Sequence, residues 1–146
     1  MRTVVAPRVL PLLFGSKAFR RLQFRTVSQI SINYRHSVLS RGQTQNLKAG
    51  DRLPWVAPPS RDTPDNFTPL ESLDWQIHIY GECAHDVKAF CEQRDLPLHT
   101  FEWSKQAATA GLTENALYLV RSDGYIGLAA PDASIGAIDE YLALLR

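Results

Sequence analysis

The chain has 146 residues, enough for one modest core and an extension, and its 45% hydrophobic and 21% charged composition is that of a globular protein. The longest apolar run near the start, Val9-Leu10-Pro11-Leu12-Leu13-Phe14, is far below the ~20 residues of a membrane span, so no transmembrane helix is expected. The net charge of +1 hides an asymmetry: residues 1–50 carry nine Lys or Arg and no acid, whereas residues 51–146 carry seven against fifteen Asp or Glu. Such a split points to two segments with different roles.

In chain order, residues 3–29 read as mainly helical, interrupted by Pro7 and Pro11, with Ser16 as N-cap of a better stretch to Ser28. Lys17, Arg20, Arg21 and Arg25 fall within roughly 140° of arc, while the apolar residues form no clean stripe. The stretch therefore wants a partner on more than one side. Its Arg-rich, acid-free character also resembles a mitochondrial presequence, although no cleavage region follows. A basic arm can serve nucleic acid or a membrane surface, but no nucleic-acid motif is present and neither partner is expected. The compartment expected is the cytoplasm, with mitochondria as the alternative.

From His36 to Asn66, Gly42, Gly50 and Pro54, Pro58, Pro59 and Pro64 break up any regular pattern. This segment reads as a linker or extended wrap, pinned by Trp55 and Val56. A compact domain then starts near Phe67. Trp75–Tyr80 alternates as a strand and stops at Gly81; residues 83–94 read as a helix with Ala84, Val87, Phe90 and Cys91 on one face. Leu96–Phe101 is a second strand, and Ser104–Thr113 holds one or two helical turns.

Ala116–Ala130 organises the rest. Two β-prone runs flank Ser122-Asp123-Gly124, a hairpin signal in which Gly124 takes the positive φ of the turn and Asp123 tolerates it. Leu117–Val120 is continuously apolar, as in a strand buried on both faces. A last helix spans about Ala133–Leu145, with Ile135, Ile138, Leu142 and Leu145 as its apolar face and Tyr141 and Leu144 beside it. The order β-α-β-(α)-β-β-α is the thioredoxin-like α/β arrangement, a parallel βαβ unit joined to an antiparallel hairpin. An N-terminal basic helix and the extended linker precede it.

The chemistry of that fold sits where the first strand meets its helix, because the helix start stabilises a thiolate. Here the junction reads Gly81-Glu82-Cys83-Ala84-His85-Asp86. Cys83 takes the nucleophile's place, Asp86 replaces the resolving cysteine, and Glu82 and Asp86 put negative charge beside the sulfur. Redox members also carry a proline just before the hairpin, where this chain has Thr113-Glu114-Asn115-Ala116. Cys83 is thus the single redox candidate and reads more simply as an inert helix-start cysteine. Cys91 lies eight residues on, about 12 Å along a helix and out of disulfide reach. His78 and His99 can approach on neighbouring strands, but no third ligand stands at a metal-binding spacing, and no phosphate loop or dinucleotide fingerprint occurs.

Three stretches carry a resemblance: Ser28-Gln29-Ile30-Ser31-Ile32-Asn33-Tyr34-Arg35-His36-Ser37, Lys48-Ala49-Gly50-Asp51-Arg52-Leu53-Pro54 and Leu119-Val120-Arg121-Ser122-Asp123-Gly124-Tyr125. In this order they resemble the carboxyl-terminal region of the FAD-dependent aromatic-ring hydroxylases, the phenol and pentachlorophenol hydroxylase-like flavoprotein monooxygenases. The resemblance implies that residues 67–146 are that family's appended thioredoxin-like domain without redox cysteines. It also implies that residues 1–35 are an arm matching the end of the hydroxylase body, with 36–66 as linker. FAD and NAD(P)H serve the full-length family, but its flavin-binding region has no counterpart here. Gly50-Asp51 is followed by Arg-Leu-Pro and departs from the flavin motif, so no catalytic, flavin-binding or metal residue carries over. The function implied is a stand-alone or truncated domain that is structural or oligomerising, inactive alone, and paired with itself or with a separate flavin-binding monooxygenase subunit. The alternatives are a thiol-dependent oxidoreductase using Cys83 and a binding module with a basic arm.

Overall fold

The computed structural model describes residues 32–60 and 62–145; the helical arm expected at 16–28 lies outside them. The chain divides into two compact units, Met1–Asn33 and Tyr34–Arg146, and the sheet and its helices belong to the second.

The fold is α/β and thioredoxin-like. Among the described residues, five strands form one sheet: β1 (Arg41–Gly42), β2 (Gln76–Tyr80), β3 (Leu98–Phe101), β4 (Leu117–Val120) and β5 (Ile126–Ala130), in the order β1-β5-β4-β2-β3. Strands β2 and β3 are parallel and connected by helix α1 (His85–Gln93), which is the βαβ unit; β4 runs antiparallel to both β2 and β5. Helix α2 (Lys105–Thr109) leads into the hairpin, and α3 (Ile135–Ala143) is the last described element. Strand β1 pairs parallel with β5, Arg41 opposite Leu128 and Gly42 opposite Ala129.

The hairpin forms where its turn residues place it. Gly124 has φ 78° and its N–H donates to Arg121 O at 2.9 Å. Asp123 stays out of the left-handed region and acts instead through its carboxylate, which accepts from Tyr125 N at 3.2 Å and from Arg121 Nη2 at 2.8 Å. All four β4 residues are fully buried, as a central strand covered on both faces requires. Burying each Leu or Val of this run is worth about 1.5–3 kcal/mol.

Alternation along the strands, shifted by one residue on β5 at the irregularity opposite Leu119 and Val120, divides the core into two layers. Ile77, Ile79, Leu117, Leu119, Leu128 and Ala130 face α1 and α3, where Val87, Cys91, Ile138 and Tyr141 meet them. Tyr80, Tyr118, Val120, Ile126 and Ala129 face the other way, onto Leu53, Val56, Ala107 and Leu112. That second cover is largely the irregular chain of residues 44–70, with a 3-10 turn at Thr68–Ser72 and with α2, whose Ser104 cap accepts from Ala107 N at 3.1 Å.

Three details depart from the sequence reading. Trp55 is 54% exposed and does not pin the wrap; Leu53 and Val56 do, because their side chains enter the core while the indole only donates Nε1–H to Asp65 at 2.8 Å. On α3, Tyr141 is buried and Leu145 exposed, since the helix ends at Ala143 before Leu145 can turn inward. The Tyr141 hydroxyl donates to Leu39 O at 2.6 Å, which satisfies the one polar atom that such burial would strand. Ala84 is the exposed N-cap of α1 and no part of its apolar face.

Candidate functional site

The junction after β2 carries the thiol that the sequence singles out. Gly81 sits at φ 121°, and a Cβ there would run into the side-chain oxygen of Asn115. Asn115 itself adopts φ 60°, a conformation its short amide tolerates. Its N–H donates to Tyr80 O at 2.9 Å and its Oδ1 accepts from Glu82 N at 2.7 Å. At the position where redox thioredoxins carry proline, this chain thus has an asparagine that staples the junction to the hairpin. Sequence reasoning noted the missing proline without seeing what replaces it; the signal was an Asn immediately before an apolar strand.

Cys83 follows the staple, half-buried and not disulfide-bonded. Burial pushes its thiol up, Lys88 opposes the shift and Asp86 adds to it. The leading cause is therefore desolvation. Asp86 contributes as expected from the sequence; Glu82, expected to act with it, is not among the causes. The Asp86 carboxylate instead accepts from Val87 N at 2.9 Å. Cys91, deeper under α1, is also unpaired and is pushed up to about 11, chiefly by burial. A thiol held mostly protonated is a poor nucleophile, and neither sulfur sits in the electropositive setting that activates one.

The wrap-facing side of β2 shows a second arrangement. Gln76, His78 and Tyr80 are fully buried on that face. Gln76 Nε2 donates to Pro69 O at 3.1 Å, and Gln76 Oε1 lies 2.9 Å from His78 Nε2. The amide oxygen can only accept, so His78 carries its proton on Nε2 and presents bare Nδ1 to the Tyr80 hydroxyl, 3.5 Å away. Asn66 Nδ2 donates to Tyr80 Oη at 2.8 Å and to Pro54 O at 2.9 Å, while its Oδ1 accepts from Val56 N at 2.8 Å. The result is one directed chain from the backbone of the wrap, through four side chains, back to the wrap. Burial holds His78 neutral, with its pKa lowered to about 3, and His99 adds to the effect. Burial likewise raises the Tyr80 phenol above its ordinary range against the opposing donation from Asn66.

Beside this chain lies a groove of about 980 Å³ between the wrap and β3, with Pro58, Pro64, Tyr80, His99 and Phe101 among its lining residues. Phe101 stacks on Tyr80 with centroids 5.0 Å apart, and His99 stands edge-on to His78 at 5.6 Å. The two histidines do meet, as their strands predict. Among the described residues no three His, Cys, Asp or Glu side chains group closely enough to hold a metal ion. Nor is any helix there long and apolar enough to cross a membrane.

From Tyr34 onward, the stretches behind the family resemblance converge at the turn end of the hairpin. Tyr34 N donates to Gly50 O at 2.7 Å, Gly50 N to Ile126 O at 2.6 Å, Ile126 N to Asp51 O at 2.9 Å, and Leu53 N to Gly124 O at 2.9 Å. Arg35 forks onto Asp51 at 2.6 and 3.0 Å, and Lys48 N donates to the same carboxylate at 2.9 Å. The hydrogen bond to Asp51, and then its charge, raise the Arg35 pKa further. Tyr34 packs edge-on against Tyr125 at 4.8 Å with the Arg121 guanidinium 5.7 Å from its centroid. These residues do not fit a flavin: the Gly50 N–H and the Asp51 carboxylate are both taken up within the domain, and Asp123 closes its own turn.

No protein-family model matches the chain, and no curated protein matches it by sequence. Among solved structures it is similar to the OxyS anhydrotetracycline hydroxylase from Streptomyces rimosus, with a TM-score of 0.58 and 19% identity. The match covers 92% of this chain and 27% of that one, so the chain spans little more than a quarter of its structural relative. At this identity the likeness is one of fold.

Proposed function

We propose that this chain is the thioredoxin-like carboxyl-terminal domain of an FAD-dependent monooxygenase of aromatic compounds, with a structural or oligomerising role and no catalysis of its own. Residues 67–146 are the domain, 36–66 its wrap, and 1–35 an arm that matches the end of a hydroxylase body. Its partner is a second copy or a separate flavin-binding monooxygenase subunit, and FAD and NAD(P)H belong to the rest of that enzyme. The observation that carries the reading is the convergence of Tyr34-Arg35, Gly50-Asp51 and the Arg121–Tyr125 turn into one hydrogen-bonded cluster. Residues from three stretches recognised separately in sequence thereby form one hydrogen-bonded cluster. The fold likeness to an anhydrotetracycline hydroxylase points the same way.

Absorbance of the purified chain between 350 and 500 nm is the direct test, together with NAD(P)H oxidation in the presence of phenolic substrates. We expect neither bound flavin nor turnover; stoichiometric FAD would overturn the reading. The raised thiol of Cys83 supports the non-redox assignment, and disulfide reduction that disappears in Cys83→Ser would contradict it.

A further inference from the structure

Strand β3 closes one side of the sheet, and among the described residues it pairs only with β2. Ile77 N donates to Pro97 O and Gly81 N to Phe101 O, both at 2.8 Å. In a parallel ladder alternate residues bond to the neighbour, so Pro97, His99 and Phe101 turn their main-chain groups towards β2. Leu98 and Thr100 turn theirs outward. The edge Leu98-His99-Thr100-Phe101 carries no charge, no proline and no bulge, the usual devices that keep an edge from pairing.

Two concavities flank this edge. One of about 380 Å³ lies on the α1 side and the groove of about 980 Å³ on the wrap side, and Leu98 and Thr100 line both. An added strand sends alternate side chains to opposite faces, so such an edge has a recess ready for each.

The charges beside the edge select the occupant. Lys88, Glu92 and Asp95 line the α1-side recess and are exposed. Because α1 runs back between two parallel strands, Lys88 in its first half lies towards the Thr100 end of β3, whereas Glu92, about 6 Å further along the helix axis, and Asp95 just past the helix lie towards the Pro97 end. A two-fold axis reverses one edge against the other. It therefore sets the cation of each chain opposite the acids of the other, which is the self-complementarity an isologous contact needs.

We propose that β3 pairs antiparallel with β3 of a second copy of this chain about a two-fold axis at His99, making one continuous ten-stranded sheet. Leu98 exchanges main-chain hydrogen bonds with Thr100 of the partner subunit, and Lys88 faces Glu92 of the partner subunit and Asp95 of the partner subunit. This rests on the oligomerising role proposed above and specifies its surface.

Sedimentation equilibrium of the full chain across a concentration series tests it. The wild type should be a dimer. Thr100→Pro removes an outward N–H and no β2–β3 bond, so it should weaken association about hundredfold with the far-ultraviolet circular dichroism unchanged. Lys88→Glu should weaken it roughly tenfold, and adding Glu92→Lys and Asp95→Lys should restore it. These surface changes keep the test informative if the proline variant fails to fold. A dimer indifferent to both Thr100→Pro and the charge reversal would overturn the edge pairing and leave an oligomerising domain standing. A monomer at every concentration would overturn both and leave the edge to an extended segment of a different protein.

Discussion

The two faces of the sheet are covered by different material, and the difference sets their chemistry. On the side of α1 and α3 the contacts are apolar, strand Ile and Leu against Val87, Cys91 and Ile138. A helix satisfies its own backbone, so it can present a dry stripe to a sheet. On the other side the cover is largely irregular chain, whose main-chain groups at Pro54 and Val56 have no helix or ladder to bond within, joined by the Pro69 carbonyl of the short 3-10 turn. The sheet supplies what they lack through Gln76, His78 and Tyr80, with Asn66 reaching across. A wrap instead of a helix therefore obliges the strand beneath it to carry buried polar side chains.

Substitutions on each face break this contrast in different ways. The largest effect is expected on the dry face: Leu119→Ala, at a fully buried site, should cost about 4 kcal/mol by urea denaturation. On the wrapped face, Asn66→Ala leaves Val56 N, Pro54 O and the Tyr80 hydroxyl short of partners. It should cost about 2–3 kcal/mol although it removes little volume.

The pH dependence sharpens the same comparison. His78 has its pKa lowered to about 3 in the folded chain against an ordinary 6.5. The unfolded chain therefore binds the extra proton between those values, and stability is lost as pH falls from 6.5 towards 3. The slope from this one group is about 1.4 kcal/mol per pH unit. It should be absent from His78→Gln, and so appear in the difference between wild type and that variant, measured by denaturation at pH 4, 5 and 6. The smallest effect is expected at the junction, where Cys83→Ser should change stability by less than about 1 kcal/mol. A larger loss would mean that the sulfur packs more tightly than its half-burial implies.

Most of this fold was legible in the sequence because its elements are periodic. Strand β4 reads as an apolar run, the turn announces itself through Asp123-Gly124, and α1 and α3 show their stripes. Strand β1 is two residues long and has no period to read; it exists only because β5 offers it a ladder. The polar chain was illegible for a different reason. Gln76 and His78 alternate with Ile77 and Ile79, a pattern that in most strands means a solvated face. Only the wrap, whose path no local rule determines, converts that face into an interior. Asn115 escaped notice likewise, since its role depends on Gly81 and Glu82, more than thirty residues away in sequence.

The hydroxyl of Tyr141 bonds to Leu39 across 102 residues. Together with the short β1–β5 ladder, this contact closes the largest loop of the domain, a step whose chain entropy is paid last. The βαβ unit and the hairpin assemble from nearer neighbours. Residues 34–56 are thus expected to dock late in folding and to open first, so substitutions that loosen them should speed unfolding more than they slow folding.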